Sequence, residues 1–266
     1  METAKKLRFG ATYLLENPSI EDAVALCVKE GLHFVELNSN FPQCLLHLMK
    51  PDKLRQLARD NGIFFTLHLD DRFDPFDFNP HVGKAYRQTM LEGLALAGEA
   101  GITVINMHIP RGNIVTLPSG RHYIYQEYPK EFEESLLSFR EMCGQNAGDT
   151  ARIAIENTDG WEGYEKAAIE TLLVSPVFGL TLDVGHDHAT GNQDLPFIQA
   201  HHRKLCHMHL HDGWEQTNHQ ALGTGVIPLG ERLAMAAATN ATVVLETKTK
   251  EALRQSVQYL KDKGYL

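Results

Sequence analysis

The chain has 266 residues, 43% of them hydrophobic and 22% charged, which is the composition of an ordinary globular protein. Its formal net charge is −9, and an acidic surface argues against a nucleic-acid partner held through its phosphate backbone. No apolar run approaches the roughly 18 residues that a membrane helix needs, so no membrane partner is expected.

A strand-like run at 7–13 opens the chain, without an apolar signal region before it. Ser19 is a good N-cap for a helix over 20–30, which Gly31 closes. A second apolar run at 33–40 precedes a helix over 52–61, set between Pro51 and Gly62. The third run, 64–70, leads to a helix over 83–99 that ends near Gly101. Runs at 104–110, 152–158, 177–186, 205–212 and 243–248 follow, with helical patterns at 131–142, 165–173, 196–202, 231–239 and 251–263. Repeats of strand, helix and glycine are βα units, which build a parallel sheet with right-handed crossovers. Eight such units in about 250 residues predict an α/β fold, a single-domain (β/α)8 TIM barrel over 1–266. A doubly wound sheet is the alternative. The four cysteines, Cys27, Cys44, Cys143 and Cys206, are scattered and form no C-x-x-C pair. They read as reduced, mostly buried thiols of a cytoplasmic protein.

Two connections are long, 69–80 and 111–129, and both follow strands. On a barrel they belong to the C-terminal face, where such loops usually meet substrate. Loop position alone nominates Arg111 and Arg121 to bind a distal hydroxyl or phosphate.

Strand alternation supplies the chemistry. In the fifth strand Ile153 and Ile155 face the helices, so Ala154 and Glu156 face in. The same count turns Asp183 inward on the sixth strand, His207, His209 and His211 on the seventh, and Glu246 on the eighth. The third contributes Thr66 and His68, and the fourth Asn106 and His108. Six strands therefore deliver a His, Asp or Glu to one rim. Isolated buried carboxylates are costly, and Glu156, Asp183 and Glu246 together repel one another. A divalent cation is the simplest compensation, and a mixed set of imidazole and carboxylates suits Zn, Mn, Fe or Co better than Ca or Mg. A structural ion-pair network is the blander alternative. His207, one layer deeper than His209, reads as packing. Asp183-Val184-Gly185-His186 adds a D-x-x-H turn whose histidine could reach a second metal or a substrate oxygen. Asp212 is either an orienting acceptor for a ligand imidazole or a cap for the next turn. The glycines of 219–225 could let backbone amides approach a phosphate.

These stretches, with 155–158, 182–186, 209–212, 219–225 and 245–247 the most specific, resemble the xylose isomerase-like barrel superfamily from Leu7 to the end of the chain. That group includes sugar and sugar-phosphate isomerases and epimerases, and the endonuclease IV type of abasic-site endonuclease. The resemblance implies a shared metal, Zn, Mn or Co, held by Glu156, Asp183, His209 and Glu246. It also implies that His186 contacts substrate. His68, His108, His186 and His219 match further zinc ligands of the endonucleases. One position departs: Thr217 stands where the endonucleases carry an aspartate, which argues against a full three-metal cluster.

The function implied is a metal-dependent isomerase or epimerase acting on a sugar, sugar phosphate or related polyol-ketone through a cis-enediolate. Glu156 and Glu246 would be the proton-transfer pair. Metal-dependent phosphodiester hydrolysis at abasic DNA is the alternative, and a barrel that binds a sugar without turnover is the non-enzymatic one. Barrels of this kind often form dimers or tetramers, which keeps a homo-oligomer open.

Overall fold

A computed structural model describes residues 7–148 and 151–266. Eight parallel strands close into a barrel: Arg8–Thr12, Phe34–Asn38, Phe64–His68, Val104–His108, Arg152–Glu156, Phe178–Asp183, Leu205–Leu210 and Thr242–Leu245. They are called strands one to eight below. Closure is made by the last joining the first, with Phe9 opposite Val243 and Ala11 opposite Leu245. This excludes the doubly wound sheet, whose edge strands would stay unpaired.

The alternation holds on each strand. Ile153, Ile155, Leu180, Leu182, Met208, Leu210, Val243 and Leu245 are fully buried in the main core, between the sheet and its helices. Each such side chain contributes roughly 1.5–3 kcal/mol by leaving water. The barrel interior is different. Its floor is aromatic, with Phe34 stacked on Phe64 at a centroid distance of 4.8 Å. Gly10 is required there, because a Cβ would sit 2.5 Å from the Phe34 ring. Above that floor the interior turns polar, with Glu36, Thr66, Asn106, Thr181, His207 and Thr242 all buried.

The helices keep the expected order and shift at their ends. Pro51, Pro80 and Pro129 occupy the first turns of Pro51–Asn61, Pro80–Ala100 and Pro129–Asn146, so these helices begin up to three residues before the apolar pattern does. Proline lacks only a donor that the first turn leaves unpaired anyway. The pattern over 196–202 resolves into Leu195–Ala200 followed by the 3-10 turn His202–Lys204. The run at 177–186 ends early. Asp183 leaves the sheet as an N-cap, accepts the His186 N–H at 2.6 Å, and starts the helix Val184–Ala189.

Two long connections carry structure of their own. The segment after strand four forms an antiparallel hairpin, Ile114–Leu117 with Gly120–Tyr123, and a short helix, Ile124–Glu127. The one after strand seven forms the ribbon Asp212–Trp214 with Thr217–Gln220. Cys27, Cys44 and Cys143 are buried and Cys206 is half-buried. Burial pushes the Cys27 thiol up to about 12 and the Cys44 and Cys206 thiols up to about 11, which leaves them inert. No described helix is long and apolar enough to cross a membrane.

Candidate metal centre

Register brings the predicted residues to one level. Glu156 ends strand five opposite His108, Asp183 ends strand six opposite His209, and Glu246 follows strand eight directly. Asn157 fixes the level of Asp183, donating from Nδ2 to its carbonyl at 2.9 Å and accepting its N–H at 2.8 Å.

His209 Nδ1 is the point of convergence. It donates to Glu156 Oε1 at 3.0 Å and lies 3.2 Å from Glu246 Oε2 and 3.8 Å from Asp183 Oδ2. Glu156 Oε2 also accepts from Asn106 Nδ2, contacts His68 Nε2 at 3.1 Å and lies 3.4 Å from His108 Nε2. Lys248 Nζ meets Glu246 Oε1 at 2.9 Å.

These contacts set the charges. Burial opposes ionisation of Glu156, but His209 and His108 hold its carboxyl well below the usual carboxylate range. Burial acts likewise on Glu246, and His209 and Lys248 overcome it. For His209 burial disfavours the cation, yet the Glu156 and Glu36 carboxylates raise it well above the usual imidazole range. His68, also opposed by burial, is pushed up to about 9 by its bond to Glu156. Burial drives His219 down to about 4.

This network does not satisfy itself. Three carboxylates converge on one N–H, that of His209 Nδ1, which can serve only one of them well. Glu246 Oε2 is buried without a hydrogen-bond partner: its 3.2 Å contact is to an N–H that already serves Glu156. Buried charges normally find a full complement of partners or a metal. One ligand atom from each of Glu156, Asp183, His209 and Glu246 lies within 4.8 Å of all the others. One imidazole nitrogen and three carboxylates fit Zn, Mn or Co. The residues present therefore suit a divalent cation.

The remaining histidines form two further clusters on the same rim, His68–His108–Glu156 and His186–His211–His219. In the second, His211 has both nitrogens engaged. Its Nε2 faces Asp183 Oδ1 at 3.0 Å, and its Nδ1 accepts the His219 N–H at 2.7 Å. His219 makes that bond from a left-handed backbone, φ 56°, a conformation that costs a non-glycine residue on the order of 1 kcal/mol. Thr217 is exposed on the ribbon and brings no carboxylate to this cluster.

Hydrogen bonding decides two readings that the sequence leaves open. Asp212 does not orient a ligand imidazole. Its carboxylate accepts the backbone N–H groups of Gly213, Gly223, Gly225 and Ile227 at 2.9–3.2 Å. The same bonds consume the amides of the 219–225 loop that were candidates for a phosphate. At Gly225 a Cβ would lie 2.3 Å from Asp212 Oδ1, so the glycine serves this packing.

A cleft of about 800 Å³ opens above the rim. Glu156, Glu246, His68, His108, His186 and His219 line it, whereas Asp183 and His209 lie beneath and do not. Loop 69–80 contributes Asp71, Arg72, Phe73 and Asp74, and Tyr125 ties it to the other long loop by donating to Asp74 at 2.8 Å. Arg111 reaches the cleft, braced by Glu165 Oε1 at 3.3 Å and the Gly160 carbonyl. Arg121 does not: it sits exposed on the hairpin. One residue escaped the sequence reading. Glu36 on strand two is 1% exposed and touches both His207 and His209. Its signal was the same alternation, a carboxylate between the outward Val35 and Leu37.

A family model described as Xylose isomerase-like TIM barrel matches residues 24–263. No curated protein matches the chain at a significant level. Solved structures that superimpose include a D-tagatose 3-epimerase-like protein, with a TM-score of 0.76 at 18% identity over 96% of both chains. A 3-keto-D-glucoside 4-epimerase from E. coli gives 0.74 at 14% identity over 97% of this chain and 100% of that one. The IolI protein with a bound zinc atom gives 0.72 at 16% identity over 98% and 99%.

Proposed function

The chain belongs to the xylose isomerase-like TIM barrel family, and on that premise we propose that it is a divalent-metal-dependent isomerase or epimerase of a sugar, sugar phosphate or related polyol-ketone. One observation carries the reading. Of the four candidate ligands, Glu156, Asp183, His209 and Glu246, only Glu156 and Glu246 line the cleft, and they come from strands three places apart in the barrel order, with the strands of Asp183 and His209 between them. Two carboxylates that reach one bound substrate from different directions are what removal and return of a carbon-bound proton require. The similar structures include a D-tagatose 3-epimerase-like protein and a 3-keto-D-glucoside 4-epimerase, which supports a carbohydrate substrate.

A bound divalent ion supplies Lewis-acid polarisation of the substrate carbonyl. Asp183 and His209 hold the site from below and leave proton transfer to the two glutamates. Glu246, held by Lys248 at Oε1 and without a hydrogen-bond partner at Oε2, takes the α-proton. Glu156, braced by His68 and Asn106, returns a proton from its own side. His186 and Arg111 line the cleft and fix substrate oxygens. Closure of the wall by loops 69–80 and 111–129 keeps water from the carbanionic intermediate.

The test is proton exchange. Metal-loaded protein is incubated in D2O with a panel of ketoses and ketosides, and deuterium at the α-carbon is read by NMR. Wild type exchanges at least one of them, and Glu246→Gln loses exchange by about 10²–10⁴-fold while still binding the sugar. Full exchange by metal-loaded Glu246→Gln overturns the assignment. The His68–His108–Glu156 cluster favours a second reading, multi-metal phosphodiester hydrolysis. Cleavage of an abasic oligonucleotide by the same preparation, with no sugar exchanged, would replace the first reading by it.

A further inference from the structure

The interior of a barrel of this kind is usually filled by aliphatic layers. Strand two breaks that rule with Glu36, whose carboxylate is 1% exposed and lies under the metal centre, away from the cleft. A buried carboxylate costs several kcal/mol unless it is paired and bonded. Glu36 is held from three sides. Oε2 contacts His207 Nε2 at 2.9 Å and accepts from Thr66 Oγ1 at 3.2 Å, and His207 is anchored in turn by Thr242 Oγ1 at 2.6 Å from its Nδ1. The remaining oxygen, Oε1, lies 3.0 Å from His209 Nε2. That nitrogen is fully buried and has no aligned hydrogen-bond partner of its own. The Glu36 carboxylate lies within its reach.

We propose that Glu36 is the positioning residue for His209: it takes the Nε2 proton and so keeps the Nδ1 lone pair turned toward Glu156, Asp183 and Glu246. The inference rests on the metal-dependent reading. Its physical basis is general. An imidazole that binds a metal through one nitrogen donates its other N–H to an acceptor, and a carboxylate there fixes the tautomer, holds the ring and increases its basicity. His207 and Thr66 serve as the frame that keeps Oε2 occupied and Oε1 aimed at His209. A purely structural Glu36 would hold His207 in place and have no effect on an ion.

The experiment measures Co(II) and Zn(II) affinity by competition with a chelating indicator, for wild type, Glu36→Gln, Glu36→Met and His207→Gln. Glu36→Gln keeps the shape and loses the charge, and is expected to weaken binding by about 10–100-fold. Glu36→Met removes the acceptor and weakens it further, whereas His207→Gln, whose amide can still donate to Oε2, weakens it less than either Glu36 variant. A second readout needs no variant. In zinc-loaded, 15N-histidine-labelled wild type, His209 should show a proton on Nε2 and none on Nδ1. Unchanged affinity in both Glu36 variants, or a zinc-loaded His209 that lacks the Nε2 proton, overturns the proposal. A wild type that binds neither ion overturns it together with the metal-dependent reading, so the two failures are told apart.

Discussion

His209 concentrates the electrostatics of the site on a single ring. Its Nδ1 carries a proton that three carboxylates attract, and its raised proton affinity follows from Glu156 and Glu36 overcoming burial. An ion must displace that proton. The sign follows directly: below the raised value the proton competes, so affinity increases with pH until His209 is deprotonated in the ion-free protein. His68, at about 9, adds to the trend if it too is engaged. Zn(II) or Co(II) affinity should therefore improve by about tenfold per pH unit for each proton released, measured by titration between pH 6 and 8. A flat profile would show that His209 is not displaced. At this scale the sequence was informative wherever local alternation decides. It gave the inward side of Glu156, Asp183, His209 and Glu246, which the strand registers reproduce. It was silent where partners are distant in sequence. Asp212 bonds to amides as far along as Ile227, and Glu36 meets its histidines across the barrel from strand two to strand seven. No local pattern encodes such contacts.

The elements that carry these residues end where capping and close packing dictate. Val184 and Gly185 read as a continuing strand because an apolar run has no period that marks its end. What stops the strand is the Asp183 carboxylate, which caps the next helix while facing His209 in the candidate metal centre. Gly185, the second residue of that helix, allows His211 to pack against it: a Cβ there would lie 1.9 Å from His211 Cε1. His211 in turn holds Asp183 and the backbone of His219. Gly185→Ala should therefore displace His211 and lower stability by roughly 1–3 kcal/mol, as overpacking of a rigid interior does, and weaken ion binding with it. Urea unfolding and an indicator titration check both effects, and a variant matching wild type in both would mean that the helix yields freely. The early helix starts at Pro51, Pro80 and Pro129 were legible in principle, since proline favours the first turn. The apolar periodicity begins later only because the first turn of each helix is mostly solvent-facing.

At the scale of the molecule, eight repeats of one unit were visible in the chain, but closure was not. It depends on strand one meeting strand eight, more than 200 residues away. Closure satisfies every strand of the ring, so the barrel opens cooperatively or not at all. The hairpin Ile114–Leu117 with Gly120–Tyr123 stands outside that ring. Ile114, Val115 and Leu117 are each nearly half exposed, and an isolated two-stranded ribbon is marginal in water. Local opening therefore costs far less there than in the strands. Arg121 sits exposed in its second strand, beside the turn, which makes it the preferred first target of a protease. Brief digestion with trypsin should nick the chain after Arg121 and leave two fragments that copurify and still bind Co(II). An earlier cut within any barrel strand would show that the ring itself breathes. Because the cleft wall includes Arg111, Gly112 and Asn113 just before the hairpin, a ligand that fills the cleft should slow that nick, and protection from cleavage becomes a way to screen for substrates before any turnover is known.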